Sequence, residues 1–70
     1  MDPIELLRQS FQNVGAYITH LDEIRDLING IESDSADVIL EQLENSLNGA
    51  QTTLSTDIRI LINEFKHLLK

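Results

Sequence analysis

The sequence predicts an all-α protein in which two long helices form an antiparallel hairpin. Two stripes of apolar residues with steps of three and four predict the helices, because this spacing places side chains on one helix face. A short polar break around residues 30–34 separates the stripes, and a short connection between long helices brings them together antiparallel. At 70 residues, the chain is predicted to be a single domain spanning 1–70.

The first helix is predicted over about residues 3–29. Asp2 can accept hydrogen bonds from the first free amides, Pro3 suits the first helical position, and Glu5 completes a capping box. Asn29 and Gly30 form a typical helix stop. The apolar stripe of this helix consists of Ile4, Leu7, Phe11, Val14, Ile18, Leu21, Ile24, Ile28 and Ile31.

The second helix is predicted to begin near residue 35, with Ser33, Asp34 or Ser35 as its cap. Asn48-Gly49 is a potential break, and Ser55 could cap a third helix, which makes a three-helix bundle the alternative. The apolar positions from 36 to 68 stay within a sector of about 80° through this point, which favours one continuous helix. They are Ala36, Leu40, Leu43, Leu47, Ala50, Leu54, Ile58, Leu61, Phe65 and Leu68.

The predicted hairpin leaves apolar surface without cover from its own chain. The apolar residues of the first helix span about half of its circumference, more than one partner helix buries. The helices would be about 40 Å and about 52 Å long, which places Pro3 opposite Ile62 and leaves the end of the second helix overhanging. The residues predicted to contact another protein are Leu6, Tyr17, Ile24, Ile62, Phe65, Leu68 and Leu69.

Charge is concentrated around the central break. The chain carries a net charge of −7. Residues 22–44 hold eight acidic residues and one basic residue, Arg25, and so account for a net −7 alone. This distribution argues against nucleic acid as a partner, because phosphates would be repelled, and favours a solvated surface or a basic protein partner.

Motifs for catalysis, cofactor binding or metal binding are not predicted. Glu64 and His67 have the Glu-x-x-His spacing of di-metal helical bundles, but one such pair cannot complete that site. The segment from Glu32 to Asp37 begins like a calcium loop and lacks its turning glycine. Cysteine is absent, no apolar run approaches the roughly 20 residues of a membrane span, and no secretory signal is visible, so the expected location is cytoplasmic.

These features predict a non-catalytic protein–protein interaction module that self-associates, as a homodimer forming a four-helix bundle, or serves as the small subunit of a hetero-complex. In size, acidity and helix layout the chain is similar to the co-chaperone subunits of bacterial type III secretion. That resemblance implies a role in shielding an aggregation-prone partner. The alternative is a small regulator, an anti-activator, antitoxin or plasmid or phage protein, that acts by sequestering a partner.

Overall fold

The computed structural model describes residues 2–33 and 35–69, and these are all-helical or in short connections. The helices are α1 (Pro3–Val14), α2 (Leu21–Asn29), α3 (Ala36–Gly49) and α4 (Thr52–Leu69), with a single 3₁₀ turn at Gly15–Tyr17. The all-α class is therefore confirmed. The prediction of two long helices is wrong, because each predicted helix is divided into two shorter ones.

The Asp2 cap and the first-turn position of Pro3 are as predicted, and the capping box with Glu5 stays a prediction. Pro3 occupies its first turn, and an Asp2 carboxylate oxygen accepts a hydrogen bond of 3.2 Å from the amide of Ile4. The predicted helix over 3–29 is nevertheless interrupted: after the 15–17 turn, Ile18 is extended, with φ −95° and ψ 128°. Gly15 and the β-branched residues that follow are weak helix formers. In addition, the amides of Thr19 and His20 donate to a tertiary acceptor instead of to helical carbonyls.

The second predicted helix is divided close to the point that the three-helix alternative named. Helix α3 ends at Gly49, Ala50 is extended with φ −89° and ψ 153°, and α4 begins at Thr52. The common phase of the apolar positions across residue 49 is therefore not evidence of a continuous helix. Helices α3 and α4 each turn an apolar face towards one shared core, so each carries a stripe of its own.

The cap of α3 differs in detail from the expectation. The helix begins after Ser35, as predicted, but the Ser35 side chain makes no capping hydrogen bond. Instead, the Ser33 hydroxyl accepts a hydrogen bond of 3.1 Å from the amide of Ser35. Asp34, the third candidate cap, lies outside the described residues.

Helix α4 is central, because it packs against both α1 and α3. The Asn13 side chain donates to Glu64 over 2.8 Å, and the amide of Thr19 donates to Asp57 over 3.2 Å. From residue 13 to residue 19, the contact partner on α4 moves back from residue 64 to residue 57. The segment that begins with α1 therefore runs antiparallel to α4. The predicted register, with Pro3 opposite Ile62, is wrong: α1 covers the C-terminal half of α4, and no overhang forms.

The chain closes its core without another molecule. It exposes 4531 Å², close to the ~4400 Å² typical of a folded monomer of this mass. Four short helices can surround one core from several directions, which two long helices cannot. The buried apolar residues are Leu7, Val14, Ile18, Ile24, Ile28, Ile31, Ile39, Leu43, Ile58, Leu61, Ile62 and Phe65.

Candidate functional site

A buried carboxylate holds the connection between α1 and α2. The Asp57 side chain on α4 is 3% exposed and lies beneath residues 18–20. Its oxygens accept hydrogen bonds from the amide of Thr19, at 3.2 Å, and from the amide of His20, at 2.9 Å. The Nδ1 atom of His20 lies 2.8 Å from the same carboxylate. Asp57 thus caps the entry to α2 from a different helix.

The environment keeps Asp57 ionised. Burial by itself would raise the pKa of this carboxyl group. The hydrogen bonds from the His20 ring and from the amides of His20 and Thr19, together with the charge of His20, outweigh burial and lower the pKa of Asp57 below its ordinary value. An ionised carboxylate only accepts hydrogen bonds, so Nδ1 of His20 is the donor. In the neutral imidazole, the Nε2 atom is then an acceptor.

Directly beside this anchor, the 15–17 turn presents an aromatic side chain to solvent. Tyr17 is 74% exposed, the largest exposure among the large apolar residues of the described chain. Leu21, at 41% exposure, lies close to the same turn, since a Cβ built on Gly15 would be 4.0 Å from its Cδ2 atom. Tyr17, His20 and Leu21 are called the tyrosine surface below.

The helix that follows the tyrosine surface is acidic. Helix α2 has a net charge of −2, because it contains three acidic residues and one basic residue: Asp22, Glu23, Asp26 and Arg25. A guanidinium nitrogen of Arg25 lies 4.0 Å from a carboxylate oxygen of Asp22, and both side chains are well exposed. Such an exposed pair contributes little to stability.

Three of the seven predicted interface residues belong to the protein's own core. Ile24 and Phe65 are fully buried, and Ile62 is 6% exposed. The expectation that the end of the second helix lacks cover is wrong, because α1 lies against it. Leu6 and Leu68 are half-buried, and Tyr17 and Leu69 are exposed. Contact of these four residues with another protein stays a prediction.

The sequence interpretation missed His20, Leu21 and Asp57 as members of a site. The sequence position of Asp57 does indicate a buried carboxylate, because the residue falls within the apolar stripe, three residues after Leu54 and one before Ile58. A carboxylate at such a position must find hydrogen-bond donors when the helix packs. Nothing in the sequence indicates that the donors are the amides of residues 19 and 20.

Residues 2–33 and 35–69 form no pocket and no group of three or more His, Asp or Glu side chains placed to hold a metal ion. Glu64, of the Glu-x-x-His pair, accepts a hydrogen bond of 2.8 Å from Asn13. None of the described helices is both long enough and apolar enough to cross a bilayer.

Comparison with known proteins adds no relative. No protein-family model, curated protein or solved structure matches the chain. The similarity to type III secretion co-chaperones therefore rests only on size and acidity, because the two-helix layout behind it is replaced by four shorter helices.

Proposed function

We propose that the protein is a non-catalytic module that binds another protein through the tyrosine surface. The observation that carries this proposal is the 74% exposure of Tyr17 on a turn anchored from below by Asp57. Tyrosine is enriched among the residues that dominate protein interfaces, because its ring buries a large apolar area while its hydroxyl group keeps a hydrogen bond.

The anchor matters because it limits the cost of binding. Ordering a flexible loop on association consumes part of the interaction free energy. Here the amides of Thr19 and His20 and the His20 ring already hold the connection on α4. Tyr17, two residues before Thr19, is thus presented from a backbone whose conformation is set before the partner arrives.

A different protein is a better partner than a second copy. Two copies would each bring a net charge of −7, and the resulting repulsion opposes self-association. The chain's own core is closed, which supports docking of a partner onto a preformed surface. A co-chaperone and a sequestering regulator would both act in this way, and they differ only in the identity of the protein that they bind. The expected location remains the cytoplasm.

The proposal is tested by site-specific photo-crosslinking in the host. A benzophenone amino acid replaces Tyr17 in one variant and Val38 in a matched control. Val38 is also an exposed apolar residue, at 39%, but it belongs to α3 and not to the 15–20 connection. We expect one discrete protein to crosslink to position 17 and not to position 38.

Two results contradict the proposal. Equal crosslinking at positions 17 and 38 indicates non-specific contact with exposed apolar residues. If the only product at position 17 is a second copy of the chain, the protein self-associates, and sedimentation of the wild type then shows a dimer. In that case the hetero-complex is wrong.

A further inference from the structure

We infer that residues 19–29 open as one cooperative unit while α1, α3 and α4 stay packed, and that Asp57 holds this unit closed. The unit consists of α2 and the two residues before it. The contact that holds it joins the Asp57 carboxylate to the amides of Thr19 and His20 and to the His20 ring, and is called the Asp57 contact below. Three properties of α2 support the inference: its length, its packing and its hydrogen bonds.

Helix α2 is too short to be stable by itself. It spans nine residues, Leu21–Asn29, and the side chain of His20 makes no capping hydrogen bond at its start. Isolated helices shorter than about 12 residues are marginal in water. The helix therefore depends on contacts with the rest of the chain, and because helix formation is cooperative, the whole helix unwinds when those contacts are lost.

The packing of α2 is limited. Ile24 and Ile28 are its only buried side chains, Leu27 is half-buried, and the other residues of the helix are exposed. Helix α4 packs extensively against both α1 and α3, whereas the main contact of α2 is with α1 and is much less extensive. The contacts of α4 with α1 and α3 do not involve α2, so they can persist when α2 opens.

Polar contacts join the unit to another helix at one place. Among the described residues, the hydrogen bonds and the ion pair of α2 are local. For example, the Ile24 amide donates to the His20 carbonyl over 3.0 Å, and the Gly30 amide donates to the Asp26 carbonyl over 3.1 Å. The Asp57 contact, in which the carboxylate is 3% exposed, is the one polar link from residues 19–29 of the described chain to a different helix.

Buried residues keep both ends of the unit attached. Ile18 directly precedes it and Ile31 follows Gly30 at its end, and each of these isoleucines is 6% exposed. The unit can therefore move away from the core between two fixed points.

Opening of the unit takes the tyrosine surface apart. Leu21 is the first residue of α2, and it moves away from the 15–17 turn that carries Tyr17. A partner that contacts both residues binds the closed form and shifts the equilibrium towards it. This consequence rests on the proposed function, whereas the opening itself does not.

Hydrogen exchange of backbone amides in the full chain, followed by NMR, measures the opening of each helix separately. We expect the amides of Ile24 and Ile28 in α2 to show an opening constant about tenfold or more above that of Leu61 and Phe65 in α4.

Two matched variants test whether the opening is local. Ile28→Val and Ile62→Val each shorten a buried isoleucine, which is 3% exposed in the first case and 6% in the second. The contacts of Ile28 are lost both in local opening and in complete unfolding, so Ile28→Val should speed exchange in α2 and α4 alike, by about fivefold. The contacts of Ile62 persist in the locally opened form. Ile62→Val should therefore speed exchange in α4 by about the same factor and change it in α2 by less than about twofold.

A second pair of variants tests the Asp57 contact. His20→Ala removes the ring from this contact and keeps both backbone amides that bind the carboxylate, and it should raise the opening constant of α2 by about fivefold. His67→Ala removes an exposed histidine from α4 and should change that constant by less than about twofold.

The inference is overturned if the amides of α2 and α4 share one opening constant, or if Ile62→Val speeds exchange in α2 as much as Ile28→Val does. It is also overturned if His20→Ala has no larger effect on α2 than His67→Ala. These results do not affect crosslinking at position 17, so the proposed function is tested separately.

Discussion

Asp57 and His20 are 37 residues apart in the chain, yet the carboxylate of one lies 2.8 Å from the Nδ1 atom of the other. The same carboxylate accepts hydrogen bonds from two consecutive backbone amides. One side chain on α4 thereby holds the connection just before α2 and determines which nitrogen of His20 faces away from α4. The shape of the tyrosine surface depends on this contact.

Replacing Asp57 should therefore destabilise the fold more than replacing an exposed acid. In Asp57→Asn, the amide group can accept fewer hydrogen bonds and brings its own N–H groups towards the donors of residues 19 and 20. We expect the free energy of unfolding to fall by about 1–3 kcal/mol. Urea denaturation measures it, with the exposed Asp37→Asn as the control, and equal stability of the two variants would contradict the role of Asp57.

The contribution of Asp57 should also depend on pH in a defined direction. Because the folded state lowers the pKa of Asp57, its ionised form stabilises the protein fully above the unfolded-state value of about 3.9. This contribution is lost as pH falls through the lower pKa of the folded state. The stability difference between wild type and Asp57→Asn should shrink as pH falls below about 4. A difference that grows below that pH would show that the sign is wrong.

Truncation of Phe65 should be costly in the isolated chain. The side chain is fully buried against the protein's own helices, so Phe65→Ala leaves a cavity and should lower stability by about 3–5 kcal/mol. Leu69→Ala, four residues on and 37% exposed, should change it by less than about 0.5 kcal/mol. Thermal denaturation of both variants decides the point. Similar small losses would restore the original idea of an uncovered helix end.

Tyr17→Ala should separate binding from folding. The side chain is exposed, so its loss should change stability by less than about 0.5 kcal/mol. As an interface anchor, it should cost 2 kcal/mol or more in partner binding, about thirtyfold in Kd. The measurement pairs circular dichroism melting with titration of the crosslinked partner after its identification. Unfolding of this variant, or an unchanged Kd, would contradict the assignment.

Gly49→Ala should stabilise the chain. Gly49 is the last residue of α3, its φ is not positive, and a Cβ added there would meet nothing within 4 Å. Alanine restricts the unfolded chain and favours the helix, which should add about 0.4–1 kcal/mol to the free energy of unfolding. Destabilisation in a thermal melt would indicate that the break at Ala50 needs the freedom of glycine.

The sequence by itself determined the helical class, the start of α1 and most of the core. These properties depend on local interactions: the Asp2 cap and Pro3 act within one turn, and an apolar side chain at helical spacing is buried whichever helix covers it. Leu7, Leu43 and Leu61 were thus correctly placed on buried faces. The choice between one long second helix and a division near Gly49 was also visible, although the phase of the stripe pointed to the wrong option.

Only the tertiary structure decided how the helices are divided and what remains on the surface. Gly15 weakens the helix locally, and Asp57, far away in the chain, keeps residues 19 and 20 out of a continuous helix by taking the hydrogen bonds of their amides. The break after Val14 lets α1 lie against the C-terminal half of α4, which buries Phe65 and leaves Tyr17 exposed. Periodicity identifies the apolar face of each helix, but it cannot identify the partner of that face, because hydrophobic burial has no direction and register is set by such specific polar contacts.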